Sequence, residues 1–404
     1  MRCAASIAPR KQSPDLSLVV HGRFHAFSMA RELARQGMQI EVITNYPASV
    51  ARRWLPDSVK VVSLVSHGLL SRVSQRSGLV QRLPGLDKAL HQFFGRWASR
   101  MVSRSQPRLV HCFSGVALEL MRQAGHSARP PKIILARGSA HIAEQRDLLI
   151  QESIRLGRPV DHPSDWMVER ELAEYGSSDR IVVLSEFARN SFLQRGVHAE
   201  KLAMIPLGVD PHHFGSTEIQ RRERISRLSA GRRLRVLCTG SFCARKGARD
   251  FVDVARRLSH QMDFVWVGGV SQDAAYLARE AGAAVELMPK VSEFALQAHY
   301  QNADLYFLPT IEDGFAATLS QALICGMPVL GTTHSAAPEL LRAGGGWVVE
   351  PRDQAGMVAC LQRAAADPAS LVPLVRLNLE QGGRRTWREV GADFIALYRR
   401  VLTS

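Results

Sequence analysis

Between Asp304 and Thr332 the chain reads DLYFLPTIEDGFAATLSQALICGMPVLGT, and this stretch has the makings of an anion site. LYFLP has the length and apolarity of a buried strand, IEDG is a turn holding two acids and a glycine, and ATLSQALIC has helical spacing. Gly326 and Pro328 end that helix, and PVLGT begins another strand. A helix entered through Asp313, Gly314, Phe315 and Ala316, and continued by Ala317 and Thr318, points unpaired N–H groups and a positive dipole end outward. Such an end binds anions. In parallel α/β sheets ligands gather at the carboxyl ends of the strands, where this turn must lie.

Other segments repeat the pattern of strand, loop and helix. Leu16 to Val20 reads as a buried strand, Ala26 to Gln36 as a helix stopped by Gly37, and Ile40 to Thr44 as the next strand. Such a βαβ unit opens doubly wound sheets. Its loop carries Gly22, Arg23 and His25; the last two are candidates to touch an anionic substrate, with a merely solvated polar loop as the alternative. Lys132 to Ala136 is strand-like and ends in the loop Arg137 to His141. Asp165 to Tyr175 reads as a helix, and Ser185 is placed to cap another. LRVLCTGSFCARKGARDFVDVARRL gives a strand, a basic loop with Gly240, Arg245 and Lys246, and a helix. At the end of the chain Trp387, Val390, Phe394 and Tyr398 share one helical stripe.

Bulk properties narrow the classes. A chain of 404 residues, 46% of them hydrophobic, can build two α/β domains. No apolar run is long enough to span a membrane, and MRCAASIAPRKQSPD lacks the apolar centre of a signal peptide. The six cysteines form no metal-like pair; they suit a reducing cytosol, with Cys238 and Cys243 expected as buried thiols. Lys and Arg number 52 against 37 acids, a net charge of +15 that favours an anionic partner: phospholipid, nucleic acid or a phosphate-bearing substrate. From Ser71 to Arg108 the charge concentrates, with Arg72, Arg76, Arg82, Lys88, Arg96, Arg100, Arg104 and Arg108 against the single acid Asp87. Leu79, Leu83, Leu86, Leu90, Phe93, Phe94, Trp97 and Met101 interleave with them. Cationic helices with such stripes can lie in a membrane interface; the plainer reading is a helix packed on its own domain. No nucleic-acid module surrounds the patch, so nucleic acid is not expected as a partner.

The organising stretch resembles the donor-site signature of retaining GT-B glycosyltransferases of family 4, E-G-F-G-x-x-x-x-E-A-x-x-x-G-x-P-V. Asp313, Gly314, Phe315, Ala322, Gly326, Pro328 and Val329 fit, counting Asp for the first Glu; Ala316 and Gln321 depart from it. A second family pattern, G-R-x-x-x-x-K-G, is met by Gly240, Lys246 and Gly247, with Ser241 in place of the arginine. His141 lies in a segment similar to the family loop whose histidine approaches the donor sugar. The resemblance spans nearly the whole chain and is strongest from Lys132 to Thr332 and at the terminal helix.

The resemblance implies two Rossmann-like doubly wound domains facing each other across a cleft. An acceptor-binding domain covers 1–214, a linker 215–233 and a nucleotide-sugar domain 234–385, and a terminal helix 386–404 crosses back to the first. The implied reaction moves a hexosyl unit from a nucleotide-sugar, UDP or GDP favoured over ADP, to a lipid-linked or saccharide acceptor with retention of configuration. His141, Asp313 and Lys246 would be the catalytic group. Arg245, Lys246, Gly240, Gly314, Phe315, Ala316, Ala317, Thr318 and Gln321 would bind the donor, with Lys246 on its diphosphate, Asp313 on sugar hydroxyls and Gln321 on the ribose. Gly22, Arg23, His25 and Arg137 would face the acceptor. No metal or other cofactor is expected, because the cations and the helix end take the metal's electrostatic part. A cytoplasmic enzyme, peripheral on an anionic membrane surface, is the expected setting. The alternatives are a non-catalytic nucleotide-sugar-binding subunit of a polysaccharide-assembly complex, suggested by Ser241 and Gln321, and a GT-B epimerase.

Overall fold

The computed structural model describes residues 13–76, 83, 85–381 and 385–403. Most of MRCAASIAPRKQSPD, with Leu79 and Arg82 of the basic stretch, lies outside them. The strands form two parallel sheets. In the first, β1 (Leu16–Val20), β2 (Ile40–Thr44), β3 (Lys60–Ser63), β4 (Leu109–Phe113), β5 (Lys132–Ala136), β6 (Arg180–Val183) and β7 (Leu202–Met204) take the order β3-β2-β1-β4-β5-β6-β7. In the second, β8 (Leu234–Thr239), β9 (Met262–Val267), β10 (Glu286–Met288), β11 (Leu305–Leu308), β12 (Val329–Thr332) and β13 (Gly346–Val349) take the order β10-β9-β8-β11-β12-β13. Both orders reverse direction beside their first strand, which is the topological switch of a doubly wound sheet.

The strands predicted from apolar runs are where the sequence placed them, because a strand covered on both faces must be apolar throughout. LSLVV is buried at every position. Compactness divides the chain into two units: described residues up to Ala136 with Glu169–Arg180 and those from Ile395 onward, and Arg137–Val168 with Ile181–Phe394. In the first unit Leu18 pairs with Val42 on one side and His111 on the other. His111 is wholly buried, and its Nδ1 lies 2.8 Å from the hydroxyl of Tyr398 on the terminal helix Trp387–Thr403. Phe394 and Tyr398 are buried as the stripe required. In the second unit Phe251 packs between Phe264, Phe307 and Trp266, with ring centres 4.9–5.7 Å apart.

The segment expected as a linker contains a helix. Thr217 and Gln220 form a capping box that starts the helix Glu218–Ser229. Within it Arg224 is 1% exposed and donates to the carbonyls of Cys325 and Tyr300. An arginine-rich composition suggested solvent, but one of the arginines is a buried cap for the end of the helix Ala317–Ile324.

The contact between His111 and Tyr398 gives a first prediction. Tyr398→Phe removes the hydroxyl that faces a buried ring nitrogen and should cost about 1–3 kcal/mol. Urea unfolding of the two proteins measures it; an unchanged midpoint would show that the hydroxyl contributes nothing.

Candidate functional site

The loop after β11 does not present its N–H groups outward as the sequence suggested. Asp313 turns back, and its Oδ1 accepts from the N–H of Phe315 at 3.1 Å and of Ala316 at 2.8 Å. Ala316 holds the left-handed conformation, φ 59°, at the N-cap of helix Ala317–Ile324. These two donors are therefore spent on the chain's own carboxylate, which sits close enough in sequence to reach them. Ala317 and Thr318 supply the first-turn N–H groups, which have no intrahelical acceptor in any helix. The other Asp313 oxygen pairs with the ammonium of Lys246. Burial, and then neighbouring Arg245, lowers that ammonium to about 8.

Lys246 closes a short turn, Ala244–Lys246, after β8. The next residue, Gly247, has φ 77°, and a Cβ on it would fall 1.8 Å from the carbonyl oxygen of Pro309, so only glycine lets the two loops meet. Arg245 stitches them together: its carbonyl accepts from the N–H of Ile311 at 2.9 Å and the hydroxyl of Thr310 at 3.1 Å. Its guanidinium donates to the Glu312 carbonyl at 3.0 Å and to that residue's Oε2 at 3.3 Å.

Glu312 is the residue that the sequence reading passed over. It is fully buried, and its carboxylate accepts from the N–H of Ala140 at 2.8 Å and the amide of Gln145 at 2.7 Å as well as from Arg245. The signal was two adjacent acids in one turn. Motif matching chose Asp313, and spacing alone gives no reason to bury its neighbour.

Through Glu312 the Arg137–His141 loop is tied to the basic loop. Arg137, expected on the acceptor side, braces its own loop, donating to the Ala140 carbonyl at 3.2 Å and to Gln145 Oε1 at 2.8 Å. Gly314 lies against this loop too; a Cβ there would meet the carbonyl oxygen of Gly138 at 2.3 Å. His141 caps the helix Ile142–Leu156, its Nδ1 accepting from the N–H of Ala143 at 3.3 Å. Its ring stands edge-on to Phe192 with centres 5.0 Å apart. Burial, then Arg195 and Arg137, lowers its pKa to about 4, so the ring is neutral near pH 7. With Nδ1 accepting, the proton belongs on Nε2.

The carbonyl oxygen of Gln321 accepts from the hydroxyl of Tyr300 at 2.9 Å. Tyr300 in turn lies 2.9 Å from the Thr239 hydroxyl, a chain of buried polar groups that satisfy one another. Gly240 has φ 117°, and its carbonyl takes the indole N–H of Trp266 at 2.9 Å; Ser241 beside it is exposed.

Gly22, Arg23 and His25 belong to the first unit. The Gly22 N–H donates to Asn45 Oδ1 at 2.7 Å, and the Arg23 guanidinium lies 4.6 Å from the centre of the Trp54 ring. His25 packs on Phe113 at 4.9 Å, and burial lowers it to about 4. It is therefore uncharged near pH 7. Among the described residues no group of His, Cys, Asp and Glu side chains is arranged to hold a metal ion, and Cys238 is a buried free thiol while Cys243 is partly buried.

Two doubly wound parallel sheets define the GT-B fold. The family model for glycosyl transferases group 1 matches residues 233–367, and that for glycosyltransferase family 4 matches residues 23–213. The chain belongs to this glycosyltransferase family. It is 22% identical over 215 residues to the amylovoran biosynthesis glycosyltransferase of Erwinia amylovora, covering 50% of this chain and 51% of that protein. The chain spans about half the length of the curated relatives it matches. Among solved structures, sucrose-phosphate synthase from Thermosynechococcus elongatus superposes with a TM-score of 0.67 at 18% identity, covering 96% of this chain and 99% of that one. Anabaena HepE in complex with UDP and glucose gives 0.67 at 12% identity, covering 96% and 100%. At such identities these two likenesses concern the fold.

Glu312→Ala should leave the Ala140 N–H and the Gln145 amide unpaired in the interior and cost roughly 2–4 kcal/mol, whereas Glu312→Gln, which keeps one acceptor, should cost less. Chemical denaturation of both variants checks the order; equal losses would mean that volume rather than hydrogen bonding matters. A second expectation concerns acid. His21, His25, His111 and His141 are lowered by burial from 6.5 to about 3, 4, 3 and 4. The unfolded chain therefore binds more protons between those values and 6.5, and stability should be full above that window and fall as pH drops through it. A melting temperature unchanged from pH 7 to 4.5 would contradict this.

Proposed function

We propose that the protein transfers a hexosyl unit from a nucleotide-sugar donor to a lipid-linked or saccharide acceptor, with retention of configuration. The observation that carries this reading is the pairing of two cations with two acids, Lys246 with Asp313 and Arg245 with Glu312, beside the N-terminus of helix Ala317–Ile324. A donor diphosphate brings the anion that such a group of cations and helix N–H groups accepts. Lys246 exchanges its carboxylate partner for phosphate, and the released oxygen of Asp313 then takes sugar hydroxyls. Donor binding falls to the region 234–385 and acceptor binding to the region 1–214.

In the transfer, the bond from the anomeric carbon to the phosphate oxygen breaks as the acceptor hydroxyl oxygen bonds to the same face. The acceptor proton passes to the departing phosphate. Lys246, Arg245 and the helix end answer the charge that grows on the diphosphate. Neutral His141 donates a hydrogen bond from Nε2 to the transferred sugar. The enclosed carboxylate Glu312 is committed to Arg245 and to N–H groups, and Asp313 keeps one oxygen on the N–H groups of Phe315 and Ala316 and turns the other to sugar hydroxyls, which favours this front-face course over a carboxylate nucleophile of the kind that retaining glycosidases use. UDP or GDP is the expected nucleotide. HepE was crystallised with UDP and glucose, and the Erwinia relative is named for the polysaccharide amylovoran.

A second reading, a non-catalytic nucleotide-sugar-binding subunit, draws on Gln321, whose carbonyl is engaged by Tyr300. Melting curves with UDP, GDP, ADP and their sugars separate the two readings. Binding to the folded form alone adds about 2.7 kcal/mol at a hundredfold excess over Kd. One nucleotide should raise the Tm of the wild type and leave Lys246→Ala unmoved. A new glycoside whose anomeric proton shows the donor's configuration supports the transferase; binding with no turnover after prolonged incubation with acceptors supports the subunit; no shift with any nucleotide overturns both.

A further inference from the structure

At the amino edge of the first sheet lies a cavity of about 950 Å³ that the transferase reading does not use. It is lined by Arg108, which leads into β4, by Lys132, which opens β5, and by the end of the helix Leu86–Ser105. All of its lining belongs to the first unit. The strands of a parallel sheet run the same way, so this edge lies opposite the loops after β1 and β4, roughly 15 Å away along the strands.

Arg108, Arg129 and Lys132 line the cavity, and among the described residues no acid does. Lys132 lies 3.4 Å from Asp179 beside it, but among the described residues neither guanidinium has a hydrogen-bond or ion-pair partner. Arg155, Arg170, Arg195 and Arg245 are by contrast each committed to a carboxylate. The walls are apolar: Val102, Pro107 and Leu120 are buried, and Leu402 of the terminal helix is half-buried. The polar groups between them serve one another, Gln123 accepting from Ser99 and donating to the Ser103 hydroxyl at 2.7 Å. The supports of the two arginines are stiff. Gln106, at the end of its helix, holds the left-handed conformation, φ 48°, which costs a glutamine energy and is kept where something demands it. Arg129 rides on a loop closed by Pro130 and Pro131, its own N–H held by the Ser127 hydroxyl at 3.3 Å.

We propose that this cavity is an effector site for a small organic phosphate, a monoester whose dianion is held by Arg108 and Arg129 and whose sugar or aromatic body rests against Val102, Leu120 and Leu402. Guanidinium forks match phosphate oxygens. A cavity of this volume encloses a molecule of that size, and cations held ready by a turn and a proline loop need little ordering when it arrives. A carboxylate carries one charge and would leave the second arginine unanswered. A polynucleotide would call for a charged track rather than a walled recess. Bound at the edge opposite the loops after β1 and β4, the ligand is an effector and not a reactant. The inference stands on this cavity alone and does not depend on the transferase reading.

Isothermal titration of the full chain with phenyl phosphate, glucose 6-phosphate, inorganic phosphate and glucose tests it. Both esters should bind, more tightly than inorganic phosphate, and glucose should not bind. Arg108→Ser with Arg129→Ser, and separately Ala128→Glu, which sets a negative charge on the same rim, should each weaken ester binding at least ~10-fold with the melting temperature kept, because exposed positions contribute little to folding. Lys246→Ala should leave this binding unchanged, which separates the cavity from the donor site. No binding of either ester, an affinity untouched by both cavity variants, or a loss of binding on Lys246→Ala would overturn the proposal. So would inorganic phosphate binding as tightly as the esters, since the walls would then contribute nothing.

Discussion

A carboxylate removed from water must be answered by donors, and the second unit is assembled around one that is. Glu312 is sealed from solvent, yet the N–H of Ala140, the amide of Gln145 and the guanidinium of Arg245 all converge on it. Those partners come from two stretches distant in sequence: the loop and helix after β5, and the turn after β8. Satisfying one buried charge therefore fixes where the neutral histidine stands relative to the two cations. Asp313 repeats the principle one residue on, capping the start of its helix with one oxygen and holding Lys246 with the other. Networks of this kind specify geometry because a half-satisfied alternative is so costly.

That network can form only where backbones approach without side chains between them. Gly247 against Pro309 and Gly314 against Gly138 are such approaches, and in both a single Cβ would collide with a carbonyl oxygen. Further along, Arg155 donates to both Glu152 and Asp250, which are fully buried, and Arg352 reaches Glu152 at 2.9 Å. The helix Ile142–Leu156, which His141 caps, is thus held near its C-terminal end by charge pairs. The site's polarity is internal in this state, cation to anion, and a phosphate ligand would have to compete for partners that are already engaged.

The first unit solves a different problem. Burial keeps His21, His25 and His111 uncharged near pH 7, and the ring of His21 lies 5.3 Å from His67 and 5.6 Å from His91. Neutral rings can fill a core that charged ones could not. Polar residues are thereby drawn inward beneath the helix Val65–Arg76, and its leucines are left outside. A reader of the sequence, assigning inside and outside by polarity, would have turned this helix over.

The sequence by itself determined the fold. Apolar runs of strand length, glycine stops and a helical stripe at the end of the chain state local preferences, and these survive folding because the parallel sheets bury both faces of their inner strands. Lys246, Asp313 and His141 were singled out by their resemblance to the family patterns, and each lies in the loop that follows a strand, where chain direction places it towards the carboxyl edge. What the tertiary structure decided was who pairs with whom. The burial of Glu312, the pairing of Asp313 with Lys246, the engagement of Gln321 by Tyr300 and the burial of Arg224 against the carbonyls of Cys325 and Tyr300 depend on contacts between residues far apart in the chain. Periodicity reports which side of an element faces inward; it carries no information on which distant donor will be there to meet a charge.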